Sequence, residues 1–98
     1  MLVMFDLPTL TRKQRKAATE FRTALLKSGF QMAQLSVYMK YCRDKAEVDR
    51  LTIWLTQIVP SDGKLDIIMI TDKQYENIVT LYGERKIARE NPPSLTLF

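Results

Sequence analysis

The chain has 98 residues, 46% of them hydrophobic and 27% charged, enough for one modest core and too few for two, so a multidomain enzyme is excluded. With no histidine and one cysteine, Cys42, an internal disulfide, zinc sites and histidine-dependent triads are excluded as well. The net charge of +4 is not spread evenly: residues 1–30 hold Arg12, Lys13, Arg15, Lys16, Arg22 and Lys27 against Asp6 and Glu20, whereas residues 31–98 hold nine charges of each sign.

Leu2-Val3-Met4-Phe5 is apolar at every position and reads as a central strand buried on both faces, ended by Pro8, which cannot donate to a sheet ladder. A helix opens at Thr11, whose spacing to Gln14 makes a reciprocal capping box. Its core stripe runs through Ala17, Phe21, Ala24, Leu25 and Ser28, and Gly29 supplies the left-handed residue that ends it, bringing Leu25 near Phe30. From Phe30 to Cys42 the helical period gives way to alternation, with Leu35, Val37, Met39 and Tyr41 on one face and Ser36, Tyr38 and Lys40 on the other, the strand breaking near Gln34. Asp44 with Glu47 starts a second helix whose stripe is Val48, Leu51, Leu55 and Ile58, and Pro60 with Ser61-Asp62-Gly63 makes a turn. A third long strand is expected over Leu65 to Thr71, a helical turn over Asp72–Tyr75, and a further strand near Ile78–Tyr82. Residues 83–93 read as a charged linker, and Ser94-Leu95-Thr96-Leu97-Phe98 as a last short strand.

This order predicts an α+β fold, a ferredoxin-like βαββαβ plait over residues 1–82 with both helices on one sheet face, followed by linker and C-terminal strand over 83–98. A bare face on so small a chain invites burial against a second copy, and a strand beyond a proline linker can add to the partner's sheet edge, so a homodimer is expected, with Leu95, Leu97 and Phe98 docking the partner. The longest apolar runs, Met1–Phe5 and Ile67–Ile70, are too short to span a membrane, and no basic leader precedes an apolar run; a soluble cytoplasmic protein is expected.

Asp6 is the only charged residue among the first eleven and ends an apolar strand, where an unpaired buried carboxylate would be costly. Either it satisfies turn amides around Thr9 and Thr11, or it belongs to a hard-cation site, since Mg²⁺ keeps waters and often takes only one or two carboxylates plus substrate phosphate. Two-fold symmetry would bring two such residues to one groove. Arg12, Lys13, Arg15 and Lys16 fall at the start of the first helix, where the helix dipole disfavours cations. A solvated face is the plain explanation; a phosphate-binding surface beside Asp6, with nucleic acid as the polyanion, is the functional one. Cys42 and Trp54 read as packed side chains, Ile53 as exposed, Tyr38 and Tyr41 as sheet packing rather than base stacking, and Asp62 and Asp66 as turn and strand-edge solvation.

Val3-Met4-Phe5-Asp6-Leu7-Pro8, followed by a basic helix and then by Gly29-Phe30-Gln31-Met32-Ala33-Gln34-Leu35-Ser36-Val37-Tyr38, resembles the small CRISPR-associated endoribonuclease family, the dimeric partner of the spacer-acquisition integrase. The resemblance covers nearly the whole chain. Ile70-Thr71-Asp72-Lys73-Gln74-Tyr75 and Leu95-Thr96-Leu97-Phe98 look most like members from systems with a single large RNA-guided effector nuclease. It implies a symmetric dimer with C-terminal strand exchange, and Mg²⁺-dependent cleavage of single-stranded RNA or double-stranded DNA. It also implies Asp6 facing its twin as catalytic and metal-binding residue, and a bridging role holding the prespacer duplex between integrase dimers. Ser36 matches the family's Ser-Val pair. Met39-Lys40 departs from many members, in which an acidic residue follows the aromatic. Three functions are therefore weighed: a metal-dependent phosphodiesterase, for which no histidine or lysine is placed as base; a structural duplex-binding dimer; and, last, a plait that binds single-stranded RNA or a small ligand, which lacks the aromatic pair of an RNA-recognition strand.

Overall fold

The computed structural model describes residues 1–83, which form β1 (Leu2–Asp6), α1 (Arg12–Lys27), β2 (Gln31–Gln34), β3 (Val37–Met39), α2 (Lys45–Ile58), β4 (Lys64–Ile68) and α3 (Asp72–Glu76). The sheet order is β2-β3-β1-β4 and every neighbouring pair is antiparallel. That is the ferredoxin-like plait, with β1 in the middle as its apolar run requires. The expected C-terminal strand with Leu95, Leu97 and Phe98, and nearly all of the linker, lie outside the described residues.

Alternation along β1 sends Val3 and Phe5, 0% and 6% exposed, to one face. There they meet Tyr38 of β3, Phe21 and Leu25 of α1, and Leu51 and Leu55 of α2 in a single core, so both long helices cover the same side of the sheet. Phe5 packs edge-on against Phe21, with centroids 5.1 Å apart at 82°, and lies 5.5 Å from Tyr38. Burying each such side chain is worth about 1.5–3 kcal/mol, which makes this cluster the main source of stability. Three expectations change here. Leu2 and Met4 are only half-buried, so β1 is covered on one face rather than two. On β3 the inward residue is Tyr38, at 2%, whereas Leu35 and Tyr41 are 77% and 73% exposed, so the face buried is the one with Tyr38 and not the more apolar one. In α1 the deep position is Ala18 rather than Ala17.

The helix ends follow local chemistry. Thr11 Oγ1 accepts from the Gln14 amide, and Gln14 Oε1 accepts from the Thr11 amide. At the other end the Phe30 amide donates to the Leu25 carbonyl and the Gly29 amide to that of Leu26, with Gly29 at φ +98°, a Schellman cap that seats Phe30 in the core beside Leu25. Asp44 caps α2 by accepting from the Glu47 amide. The expected break lies at the β2–β3 hairpin, where the register shifts between Met32 and Gln34. β4 stops at Ile68 instead of Thr71, because Thr71 caps α3 by accepting from the Gln74 amide. The expected strand near Ile78–Tyr82 does not form: these residues are irregular, with Ile78, Val79, Leu81 and Tyr82 between 53% and 87% exposed. Among the described residues no helix is long and apolar enough to cross a membrane.

Candidate functional site

β1 delivers Asp6 to the edge of the face that α1 and α2 leave uncovered. Antiparallel register with β4 pairs Leu2 with Ile68, Met4 with Asp66 and Asp6 with Lys64, while β3 sets Met39 beside Leu2 and Val37 beside Met4. The open face thus grades from apolar (Leu2, Met39, Ile68) to charged (Asp6, Lys64, Asp66). A shallow depression of about 170 Å³ is lined by Met4, Phe5, Asp6, Lys64 and Asp66. Asp6 is exposed, so no desolvation cost has to be offset. Nor does it serve the turn: the amides of Leu10 and Thr11 both donate to Gln14 Oε1, at 2.9 and 3.0 Å. Among the described residues Asp6 forms no ion pair, its cross-strand neighbour Lys64 reaching Asp66 Oδ2 at 3.6 Å instead.

The loop from Leu7 to Leu10 turns from this strand end into α1 and is held from two sides. Gln14 Nε2 donates to Asp62 Oδ2 at 3.1 Å, joining the helix start to the turn before β4. At Gly63 a Cβ would stand 2.4 Å from Leu7 Cδ2, so loop and turn lie close enough that a larger residue there would push the Leu7 side chain aside. The basic residues of α1 therefore begin at the same end of the sheet as Asp6. Arg12, Lys13 and Lys16 are exposed, and Arg15 spends its guanidinium on the carbonyls of Thr9 and Leu10, both at 3.2 Å. Among the described residues none of the four pairs with a carboxylate, and α1 has no acid in its first turn. Cations at a helix start without acidic compensation are unfavourable in isolation and become favourable against a polyanion.

As members of this site Lys64 and Asp66 escaped sequence reading; Arg22 lies with its guanidinium 5.7 Å from the Phe5 ring centroid, on the helix-covered side of the sheet. The alternation of Lys64, Asp66 and Ile68 against Leu65 and Ile67 was the available signal, but it points at Asp6 only once the register is known. A group of three or more His, Cys, Asp or Glu able to hold a metal does not occur among the described residues. Asp6 and its diagonal neighbour Asp66 are instead two exposed carboxylates on the open face at this strand end.

The other charged centre is structural. Glu47 accepts from the Arg43 amide at 2.8 Å and has Lys40, Arg43 and Arg50 within 3.9 Å. That amide and, secondarily, those cations hold its carboxyl below the ordinary glutamate value. A second hollow of about 180 Å³ lies at the opposite end of β1, between Met1, Leu2, Met39, Tyr41, Met69 and Tyr75. Cys42 lines it half-buried, with Sγ 3.8 Å from the Lys40 carbonyl, as a packed side chain. Trp54 packs on the core and Ile53 is 62% exposed, both as expected.

The family model described as CRISPR associated protein Cas2 matches residues 1–78. A CRISPR-associated endoribonuclease Cas2 of Paracidovorax avenae is 48% identical over all of this chain and 92% of its own length. Another of the same name, from Flavobacterium psychrophilum, is 40% identical over 94% of this chain and 80% of its own. Among solved structures, crystalline Streptococcus pyogenes Cas2 superposes with a TM-score of 0.64 at 24% identity, over 83% of this chain and 96% of that one, and supports the fold.

Proposed function

The chain belongs to the Cas2 family of CRISPR-associated proteins, and we propose that it acts as a homodimer that holds double-stranded DNA within the spacer-integration complex and carries a Mg²⁺-dependent nuclease centre at Asp6. The observation that carries this reading is the convergence at one end of the sheet of an exposed, unpaired carboxylate and a helix start whose cations lack acidic partners. The relatives' name, endoribonuclease, supports phosphodiester cleavage, with single-stranded RNA as the other substrate.

The dimer reading draws on the open face, where Leu2, Met4, Val37 and Met39 are half-buried and Ile68 is 38% exposed. Ile78, Val79, Leu81 and Tyr82 are apolar residues without a strand partner in the chain described, which suits pairing with a second copy; Leu95, Leu97 and Phe98 would extend that interface. Residues 1–82 then form the domain, and 83–98 the linker and docking strand.

In the cleavage reading Asp6, with Asp66 beside it, would hold the metal. When bound, Mg²⁺ supplies charge neutralisation at the scissile phosphate and acidity to a water molecule. Arg12, Lys13 and Lys16 bind the backbone without reading bases, and Arg15 fixes the loop that sets their distance from Asp6. A purely structural nucleic-acid-binding dimer is the second reading, favoured by the lack of a placed general base among the described residues. The test is cleavage of end-labelled RNA and duplex DNA with Mg²⁺, beside Asp6→Asn and EDTA. Cleavage lost in both controls supports the enzyme; cleavage that survives Asp6→Asn, or none at all, leaves the DNA-holding dimer.

A further inference from the structure

We propose that Lys64 is the phosphate-positioning residue of the Asp6 site, binding a non-bridging oxygen of the DNA backbone from the open face of the sheet. The inference rests on the reading that nucleic acid lies at this end of the molecule, and adds a phosphate ligand on the sheet to those of α1.

Lys64 is the first residue of β4 and lies directly opposite Asp6 in the antiparallel ladder. Side chains so opposed start about 5 Å apart, well within the reach of a lysine. The open-face trio of Asp6, Lys64 and Asp66 carries one positive charge against two negative ones, in the depression these residues line with Met4 and Phe5. A phosphodiester entering there would meet two carboxylates, and among the described residues Lys64 is the cation lining the depression to compensate them. Its pairing with Asp66 does not hold it firmly: the separation is 3.6 Å, and the two side chains are 75% and 53% exposed. An exposed pair of that kind is weak and readily exchanged, whereas a lysine needed by the fold would be covered or closely paired. An ammonium group has three donors on a flexible stem, so it can turn from Asp66 to a phosphate oxygen.

Binding of mixed-sequence duplex DNA is measured against salt for the parent, Lys64→Ala, Lys64→Arg and Lys45→Ala. Lys45 is a suitable control because it is 85% exposed and engaged with Asp49 on α2. Lys64→Ala is expected to weaken binding roughly tenfold and to lower the slope of log K against log salt by about one for each copy engaged. Lys64→Arg restores the slope, Lys45→Ala keeps it, and in cleavage assays Lys64→Ala raises KM more than it lowers kcat. A parental slope in Lys64→Ala overturns the proposal while leaving metal-dependent cleavage at Asp6 untouched. A parent that binds but does not cleave, with the slope still reduced in Lys64→Ala, supports the phosphate-binding role and removes the nuclease reading instead. A parent that does not bind duplex overturns the proposal together with the DNA-holding reading it rests on, and leaves RNA cleavage at Asp6 to its own assay.

Discussion

The two faces of β1 are made from alternate residues of one five-residue strand and serve opposite ends. Val3 and Phe5 turn inward to a core closed by α1 and α2, where the buried neighbours are apolar or aromatic. Leu2, Met4 and Asp6 turn outward to a face that neither long helix reaches, and its charge rises toward the strand's C-terminal end. A period of two lets stability and surface chemistry be written into the same segment without sharing a side chain. Changes on the inward face should therefore act on folding, and changes on the outward face and its flanking loop on binding and catalysis.

The largest expected effect is on the inward side. Leu55→Ala, at a position with no exposure, should lower stability by about 2–5 kcal/mol in urea unfolding, with the residual folded protein still binding DNA. A loss of binding disproportionate to the unfolded fraction would blur the division between faces. On the outward side Asp6→Asn should reduce Mg²⁺-dependent cleavage by ~10²-fold or more while shifting stability by less than about 0.5 kcal/mol, since the residue is exposed. Replacing Arg12, Lys13, Arg15 and Lys16 together by Ala should weaken duplex binding uniformly across sequences and flatten its salt slope by about 0.9 for each phosphate no longer neutralised; an unchanged slope would remove the cluster from the interface. Deleting residues 94–98 should loosen the dimer in sedimentation or uncouple the integrase, and a truncated chain that keeps both would end the strand-exchange idea. The smallest effect belongs to neither face. Because the folded protein holds the Glu47 carboxyl below its ordinary value of 4.5, its contribution is fully present above that pH and fades as pH falls through the lower folded value. The stability gap between parent and Glu47→Gln, followed by denaturant melts, should be level near neutrality and close only in acid.

Much of the fold was legible because its signals are local. The Thr11–Gln14 box, the Gly29 stop, the Asp44 cap and the α2 stripe all read correctly, since each depends on residues within one or two turns of one another, and the apolar run of β1 gave its central place though not its one-sided burial. The failures are non-local. Which face of β3 is buried depends on Tyr38 pairing with Val3, thirty-five positions away, and alternation alone does not choose between the faces. Ile78–Tyr82 has strand composition but finds no edge within the described chain, so propensity had nothing to pair with. At the site, Asp6 and the α1 cations stood out by charge in an apolar or uncompensated setting. Lys64 and Asp66 looked like ordinary strand-edge polarity until the β1–β4 register put them beside Asp6.

The same register has a consequence in time. β1 is the first element of the chain, yet its two neighbours are β3 and β4, so during synthesis it waits as an unpaired apolar segment while α1 and the β2–β3 hairpin are made. Pairing with β3 can follow the hairpin, but the Asp6–Lys64 rung closes a loop of nearly sixty residues and belongs to the slow, high-separation part of assembly. A nascent or truncated chain ending before β4 can have a helix, a hairpin and part of a core, but it has no assembled site. The centre that would handle nucleic acid comes into being only when the sheet is complete.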